Sequence, residues 1–117
     1  MITGKYPSLR LRRNRKAEWT RRLVEESSLS SNDLILPIFL IDGKNRIQSI
    51  KLMPGVFRYS IDQLSKIVDK AIFLRIPMVA LFPYSNSKVK NKHGSEALNE
   101  DNLVCRAIRY IKKKYKN

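Results

Sequence analysis

The sequence predicts an α/β fold, in which apolar strands alternate with amphipathic helices. Two apolar runs, residues 34–41 and 78–82, are each followed by a polar connection and then by a helical pattern. Apolar runs of this kind are typical of parallel strands that are covered on both faces. With 43% hydrophobic and 29% charged residues, the 117-residue chain has the composition of a folded domain. We expect an N-terminal segment, residues 1–30, and one domain, residues 31–117.

The N-terminal segment is strongly basic and poor in apolar side chains. A short helix is predicted around residues 17–25, where Trp19 and Leu23 lie one turn apart on the same face. Because the segment cannot bury a core of its own, these two side chains must pack against the domain or against another subunit. We predict the second, so that residues 1–30 form an oligomerisation arm.

The first predicted strand, residues 34–41, follows turn-forming residues at 30–33. Pro37 lies within this strand and cannot donate to a sheet ladder, so we expect the strand to be short, irregular or at an edge. Residues 42–59 contain two Gly- or Pro-rich turn signals. They are predicted to form a long connection with little regular structure.

The first main helix is predicted to open at Ser60, with Gln63 completing a capping box. It should end near Arg75, because a residue that precedes proline is pushed out of the helical region and Pro77 follows closely. Five apolar residues on one helical stripe are expected to face the core: Ile61, Leu64, Val68, Ala71 and Ile72. The second strand, residues 78–82, comes next.

A polar loop at residues 84–98 follows the second strand, and fifteen residues is long for such a connection. Unusual length favours a function, so the loop is predicted either to cradle an anion or to be a solvated excursion. Its basic and turn-forming residues are Lys88, Lys90, Lys92, His93 and Gly94. The second main helix is expected to start near Asn99 and to bury Leu103, Val104, Ala107, Ile108 and Ile111.

The charge pattern favours solvated surfaces over a nucleic-acid site. The formal charge is +14, which predicts weak, salt-dependent attraction to DNA or RNA. However, most aromatic residues lie among apolar neighbours instead of among the basic clusters, so a base-stacking surface is not indicated. The longest uncharged apolar stretch, residues 34–41, is far shorter than the ~20 residues of a membrane helix. Since no signal peptide is evident either, we expect a cytoplasmic location.

No self-contained catalytic site is indicated. The sequence has no glycine-rich phosphate loop, dinucleotide fingerprint, serine elbow or zinc signature. A lone Cys105 and a lone His93 give no metal-ligand spacing, and Cys105 is interpreted as an inert thiol. His93, Ser95 and Glu96 are too close together in one loop to form a catalytic triad.

Five segments carry a resemblance to a known family: LRRN at 11–14, LILPIF at 34–39, MPGVFRYS at 53–60, IPMVALFP at 76–83 and GSEA at 94–97. In this order and spacing, from about residue 6 onward, the chain resembles the N-terminal part of porphobilinogen synthase, also called 5-aminolevulinate or delta-aminolevulinic acid dehydratase.

The resemblance implies an extended arm that embraces a neighbouring subunit in a homo-oligomer, commonly an octamer. It also implies that the arm precedes a TIM (β/α)₈ barrel. Such a barrel takes ~250 residues, so we expect only its first two βα units here, with the chain ending before the barrel is complete. The family condenses two molecules of 5-aminolevulinate to porphobilinogen with loss of water, in haem and tetrapyrrole biosynthesis.

In this family two lysines form Schiff bases with the substrates, and zinc or magnesium is often required. No catalytic, cofactor-binding or metal-binding element of the family matches a position here, so this chain alone is expected to bind no metal and to be inactive. We do not assign the Schiff-base role to Lys88, Lys90 or Lys92, because a catalytic amine usually needs a desolvated site. Phe82 and the loop from Tyr84 to Ala97 are expected to shape the mouth of the active site.

Two alternatives stay open at this point. One is a non-catalytic assembly module that retains the arm and joins intact subunits. The other is a small basic protein associated with nucleic acid, which only the charge favours.

Overall fold

A computed structural model describes residues 4–10 and 12–116. The first three residues of the predicted arm, Leu11 of the LRRN segment, and Asn117 lie outside the described residues. The strands and α-helices of the described part follow one another in this order: α1 (Glu18–Leu23), β1 (Ile35–Leu40), β2 (Ile47–Ile50), β3 (Met53–Tyr59), α2 (Leu64–Phe73), β4 (Met78–Pro83) and α3 (Leu103–Lys114).

The four strands form one mixed sheet with the order β2-β3-β1-β4. Strand β1 is parallel to both β3 and β4, whereas β2 pairs antiparallel with β3. The core lies between this sheet and the helices α2 and α3. Its buried members are Ile38, Leu40, Leu64, Val68 and Ala107. The predicted α/β fold is therefore confirmed.

Alternation along the strands gives the sheet two different faces. Ile38 and Leu40 of β1 are buried against the helices, and Leu81 of β4 also packs there. Successive side chains of a strand point to opposite faces, so Phe39 and Phe82 lie on the other side. We call that side the helix-free face. Its apolar residues nearer the strand starts, such as Met78, are largely exposed.

The prediction that residues 42–59 lack regular structure is wrong, because they form the β2–β3 hairpin. Ser49 pairs with Phe57 while the next residue, Ile50, pairs with Met53. This shift in register absorbs Pro54 and Gly55, the residues that signalled a break in the sequence. Gly55 has a φ of 79°, which favours glycine.

The expectation of a short, irregular or edge strand around Pro37 is met only locally, because β1 is an edge at Pro37 but not over its whole length. Strand β1 is regular over six residues and lies between β3 and β4. However, β3 pairs with β1 only at Phe39 and Leu40, whereas β4 pairs with β1 along its whole length. Proline is tolerated at position 37 because only one side of the strand carries a ladder there.

The capping box predicted at Ser60 does not form. A 3₁₀ turn precedes α2, and the buried Ser60 hydroxyl binds the backbone of Arg46 and the carboxylate of Asp62 instead of a helical N–H. Helix α2 ends at Phe73, close to the predicted end. Ile72 was expected to be buried but is exposed, as is much of Ile108 in α3, because both lie at the margins of their apolar stripes.

Helix α3 begins at Leu103 instead of near Asn99. The side chain of Asn102 accepts the backbone N–H of Cys105 at 2.8 Å and so caps the helix there. Upstream, the side chain of Asn99 accepts the N–H of Asp101 in a local turn that competes with helix. As a result, the partly buried Cys105 lies in the first turn of α3.

Among its described residues the N-terminal segment contains a 3₁₀ turn, Arg13–Arg15, and the short α-helix α1, which is shorter than the predicted 17–25. No residue of α1 is buried, and Trp19 and Leu23 are 68% and 76% exposed. The longest dimension of the molecule is 69 Å, against 36 and 26 Å in the other directions. Neither side chain joins the core of its own chain, so packing against another subunit stays a prediction.

Candidate functional site at the C-terminal ends of the parallel strands

The C-terminal ends of β1, β3 and β4 meet at one edge of the sheet. In α/β folds this is the edge at which ligands bind. The parallel register places Phe39 of β1 between Arg58 of β3 and Phe82 of β4. All three therefore stand side by side on the helix-free face.

Tyr84 completes this group, which we call the aromatic–arginine row (Phe39, Arg58, Phe82 and Tyr84). The rings of Phe39 and Phe82 have centroids 5.7 Å apart. The guanidinium carbon of Arg58 lies 4.3 Å from the centroid of the Tyr84 ring. The backbone N–H of Tyr84 donates to the carbonyl of Leu40 at 2.8 Å, which fixes the residue just beyond the strand end.

A second feature, the loop cleft, lies between the strand ends, the 84–98 loop and the start of α3. It has a volume of about 600 Å³ and five charged side chains in its walls: Asp42, Arg46, Lys90, Glu96 and Arg106. Arg106 forms an ion pair with Asp42 at 3.2 Å, and Arg46 donates to the carbonyl of Asp42 at 3.0 Å. Because these charges nearly balance, the cleft has little preference for an anion.

The long loop is divided between these two features. Its first residue, Tyr84, joins the aromatic–arginine row, while later residues such as Asn86 and Lys90 line the loop cleft. Lys88 and Lys92 are exposed, as is Lys90. None of these lysines has the desolvated surroundings that a Schiff-base amine usually needs.

Asn91 organises the segment around His93. Its side-chain oxygen accepts the backbone N–H groups of His93 and Ser95 at 3.1 and 3.2 Å, and its amide binds the Ser95 hydroxyl. Within the described residues, no hydrogen bond joins the His93 ring to Ser95 or Glu96. The arrangement is that of a turn and differs from a nucleophile–base pair.

The described residues do not fit a complete metal site. Among them, no three His, Cys, Asp or Glu side chains lie close enough together to hold an ion. In the same part of the chain, no helix combines the length and the apolar character needed to cross a bilayer.

The sequence predicts a role for Phe82 and the loop at this edge but does not single out Arg58. The signal was present in the MPGVFRYS segment, where Phe57 and Tyr59 flank Arg58 in strand-like alternation. However, Pro54 and Gly55 predict a break in regular structure, which hides that alternation in the sequence. In the structure, Tyr59 packs against the core, which directs Arg58 to the helix-free face.

Comparison with known proteins gives one consistent family. A family model described as delta-aminolevulinic acid dehydratase matches residues 8–117. The curated delta-aminolevulinic acid dehydratase of Bradyrhizobium diazoefficiens is 52% identical over 108 residues, which cover 92% of this chain and 31% of the relative. The Helicobacter pylori protein of the same name is 42% identical, covering 92% of this chain and 33% of the relative.

A solved structure agrees with these relatives. The crystal structure of delta-aminolevulinic acid dehydratase (porphobilinogen synthase) from Toxoplasma gondii, in complex with the reaction product porphobilinogen, matches with a TM-score of 0.81 and 35% identity. The match covers 92% of this chain and 30% of that one. The chain thus spans about a third of the length of the curated relatives it matches. It belongs to the delta-aminolevulinic acid dehydratase family.

Proposed function

We propose that this chain forms the N-terminal third of a porphobilinogen synthase. The complete enzyme condenses two 5-aminolevulinate molecules to porphobilinogen with loss of water. The observation that carries the proposal is the family match over residues 8–117, which includes both parallel βα segments and the loop between β4 and α3.

In this proposal residues 1–30 are the arm of a homo-oligomer, commonly an octamer in the family, and residues 31–117 are the first two βα units of a TIM barrel. The exposed Trp19 and Leu23 support the arm, since two large apolar side chains in water favour burial against a partner. The proposed location is the cytoplasm.

The helix-free face would form part of the inner wall of the barrel. Ile35 and Met78 lie side by side on that face and are both more than half exposed. Further strands of the barrel would cover these side chains. The aromatic–arginine row lies at the C-terminal end of the same face, where the active-site mouth of a barrel is found.

In this proposal the 117 residues help to shape the active-site mouth but do not supply the two lysine amines that form Schiff bases. Schiff-base formation needs one lysine for each substrate ketone, and the exposed loop lysines do not meet that need. A zinc or magnesium ion would likewise take its ligands from other parts of the enzyme. We therefore expect the 117 residues alone to form no porphobilinogen.

A chimaera tests the proposal. This chain would replace the matching part of the Bradyrhizobium diazoefficiens relative, and porphobilinogen formation from 5-aminolevulinate would be measured. We expect activity from the chimaera and none from the 117-residue chain assayed alone at equal concentration. The unmodified relative serves as the positive control.

Two results would contradict the proposal. A chimaera that assembles like the relative but makes no porphobilinogen would show that this sequence cannot serve as that third of the enzyme. Porphobilinogen formation by the isolated chain would show that the amines had been wrongly placed outside it.

A further inference from the structure

The C-terminal end of α2 exposes three consecutive apolar side chains to water. Phe73 is 84% exposed, and its neighbours Ile72 and Leu74 are also exposed; we call these three residues the α2-end patch. The patch lies outside the loop cleft, and none of its members belongs to the buried core. A contiguous apolar patch with a polar rim is typical of a surface that binds a partner.

A strained turn places a cation next to this patch. The N–H of Arg75 donates to the carbonyl of Ile72 at 2.9 Å, and the N–H of Ile76 donates to that of Ala71 at 3.0 Å. These two bonds make a Schellman motif, in which the residue at the position of Arg75 is usually glycine. Arg75 has a φ of 55° there, so it carries a conformational strain that glycine would avoid.

Lysines share the outer surface of the helices with the patch. Lys70 precedes Phe73 by three residues and therefore lies on the same face of α2. The Tyr115 hydroxyl donates to the carboxylate of Asp69, which holds the end of α3 beside this face. That end adds four exposed lysines: Lys112, Lys113, Lys114 and Lys116. Asp69 is the one acid in residues 64–78 and 103–117, so this surface is strongly positive.

The chemistry of the surface favours one kind of partner. Cations stabilise a helix C-terminus, which accounts for the lysines but leaves the exposed Phe73 unexplained. A second copy packed through the same face would set lysines against lysines. A nucleic acid would satisfy the charge, yet its backbone offers phosphates and no apolar layer to the patch. An anionic bilayer offers both, because its acyl chains begin just below its charged headgroups.

We propose that the α2-end patch and the cations beside it bind the surface of an anionic lipid bilayer. Phe73 enters the boundary between headgroups and acyl chains, while Lys70 and Arg75 bind lipid phosphates. The attachment is peripheral and reversible, because three apolar side chains bury little area. The patch leads into the start of β4, whereas the candidate site lies at the strand ends. Lipid binding therefore leaves that edge of the sheet open, and the inference does not depend on the proposed function.

The test is sedimentation of the 117-residue chain with vesicles of phosphatidylcholine, either alone or mixed with phosphatidylglycerol. We expect binding to the mixed vesicles only. Phe73→Ser should weaken this binding by about 10-fold, and Arg75→Gly by about 5-fold, the effect of one basic residue near an anionic surface. Because glycine suits the left-handed turn, Arg75→Gly should not lower the melting temperature. Its weaker binding would then not be due to unfolding.

Two control variants remove exposed apolar side chains elsewhere. Leu52→Ser changes the tip of the β2–β3 hairpin, and Ile35→Ser changes the helix-free face. Both should bind the mixed vesicles as the parent does. A double variant, Phe73→Trp with Trp19→Phe, gives a second readout. Its tryptophan emission should shift to shorter wavelength with the mixed vesicles and stay unchanged with phosphatidylcholine alone.

Several results would overturn the inference. Equal binding by Phe73→Ser and the parent would show that charge acts without the patch, as it would on a nucleic acid. Unchanged emission from the double variant on vesicles that it binds would show that another surface meets the lipid. Loss of vesicle binding in the assembled chimaera would show that another part of the enzyme covers the patch.

Discussion

The Ser60 hydroxyl holds the β1–β2 loop to the start of the α2 segment, and its removal should measurably destabilise the fold. Ser60 is fully buried. Its oxygen accepts the backbone N–H of Arg46 at 2.9 Å and lies 2.7 Å from a carboxylate oxygen of Asp62. In Ser60→Ala, the partly buried N–H of Arg46 loses its acceptor.

An unsatisfied buried donor costs about 1–3 kcal/mol of stability. Urea unfolding of a domain this size has a slope of about 1–3 kcal/mol per molar urea. The unfolding midpoint of Ser60→Ala should therefore fall by about 1 M. Ser49→Ala, at an exposed position of β2, is the control and should change stability by less than about 0.5 kcal/mol.

The pH dependence gives an independent check. The hydrogen bond from Ser60 is the largest of the effects that lower the pKa of the Asp62 carboxyl below its usual value. A lowered pKa stabilises the fold above the unfolded value of about 4, and that stabilisation is lost as the pH falls through the folded value. The difference between the parent and Ser60→Ala should thus be largest at neutral pH and shrink below about pH 4.

The assay is urea unfolding followed by far-ultraviolet circular dichroism, with hydrogen exchange of the Arg46 amide as the local probe. We expect faster exchange at Arg46 in Ser60→Ala and no change in Ser49→Ala. Equal unfolding midpoints for Ser60→Ala and the parent, together with unchanged exchange at Arg46, would refute this account of the loop.

Three further predictions concern α3, the N-terminal segment and the net charge. Partial burial and, after it, the hydrogen bond to Asp69 raise the pKa of Tyr115 to about 12. Because the raised pKa stabilises the fold below the unfolded value, this stability should be lost as the pH rises from about 10 to 12. Tyr115→Phe should remove this loss in alkaline unfolding curves and lower the stability at neutral pH by about 1 kcal/mol. Replacing Trp19 and Leu23 together by Glu should reduce self-association in sedimentation velocity, and an unchanged sedimentation profile would contradict the arm. Binding to short DNA duplexes should be weak, independent of sequence and largely abolished between 50 and 200 mM salt; sequence preference at high salt would instead favour the nucleic-acid alternative.

The strands and helices differ in how well the sequence alone predicts them. The runs containing Ile38 and Val79 are apolar and β-branched, so they predict strands whatever their partners are. The stripe through Leu64 and Val68 predicts the helix that covers them. Such patterns depend on local periodicity, so a single sequence is enough to recognise these strands and helices.

The β2–β3 hairpin was not predictable in the same way. Pro54 and Gly55 end regular structure in most settings, and only the pairing of Phe57 with Ser49 across a shifted register accommodates them. The start of α3 likewise depends on which asparagine side chain captures a backbone N–H. These outcomes are decided by competition between nearly equivalent hydrogen bonds.

By itself, the sequence determined the α/β class and the family, the latter through five ordered segments, and it predicted a role for Phe82 and the loop that follows it. The tertiary structure decided where Arg58 lies, because register between β3 and β1 is a long-range property that no local pattern encodes. It also decided that Tyr84 meets Arg58 while the rest of the loop turns toward α3. These side chains are distant in the chain, and only the packing of the strands brings them together.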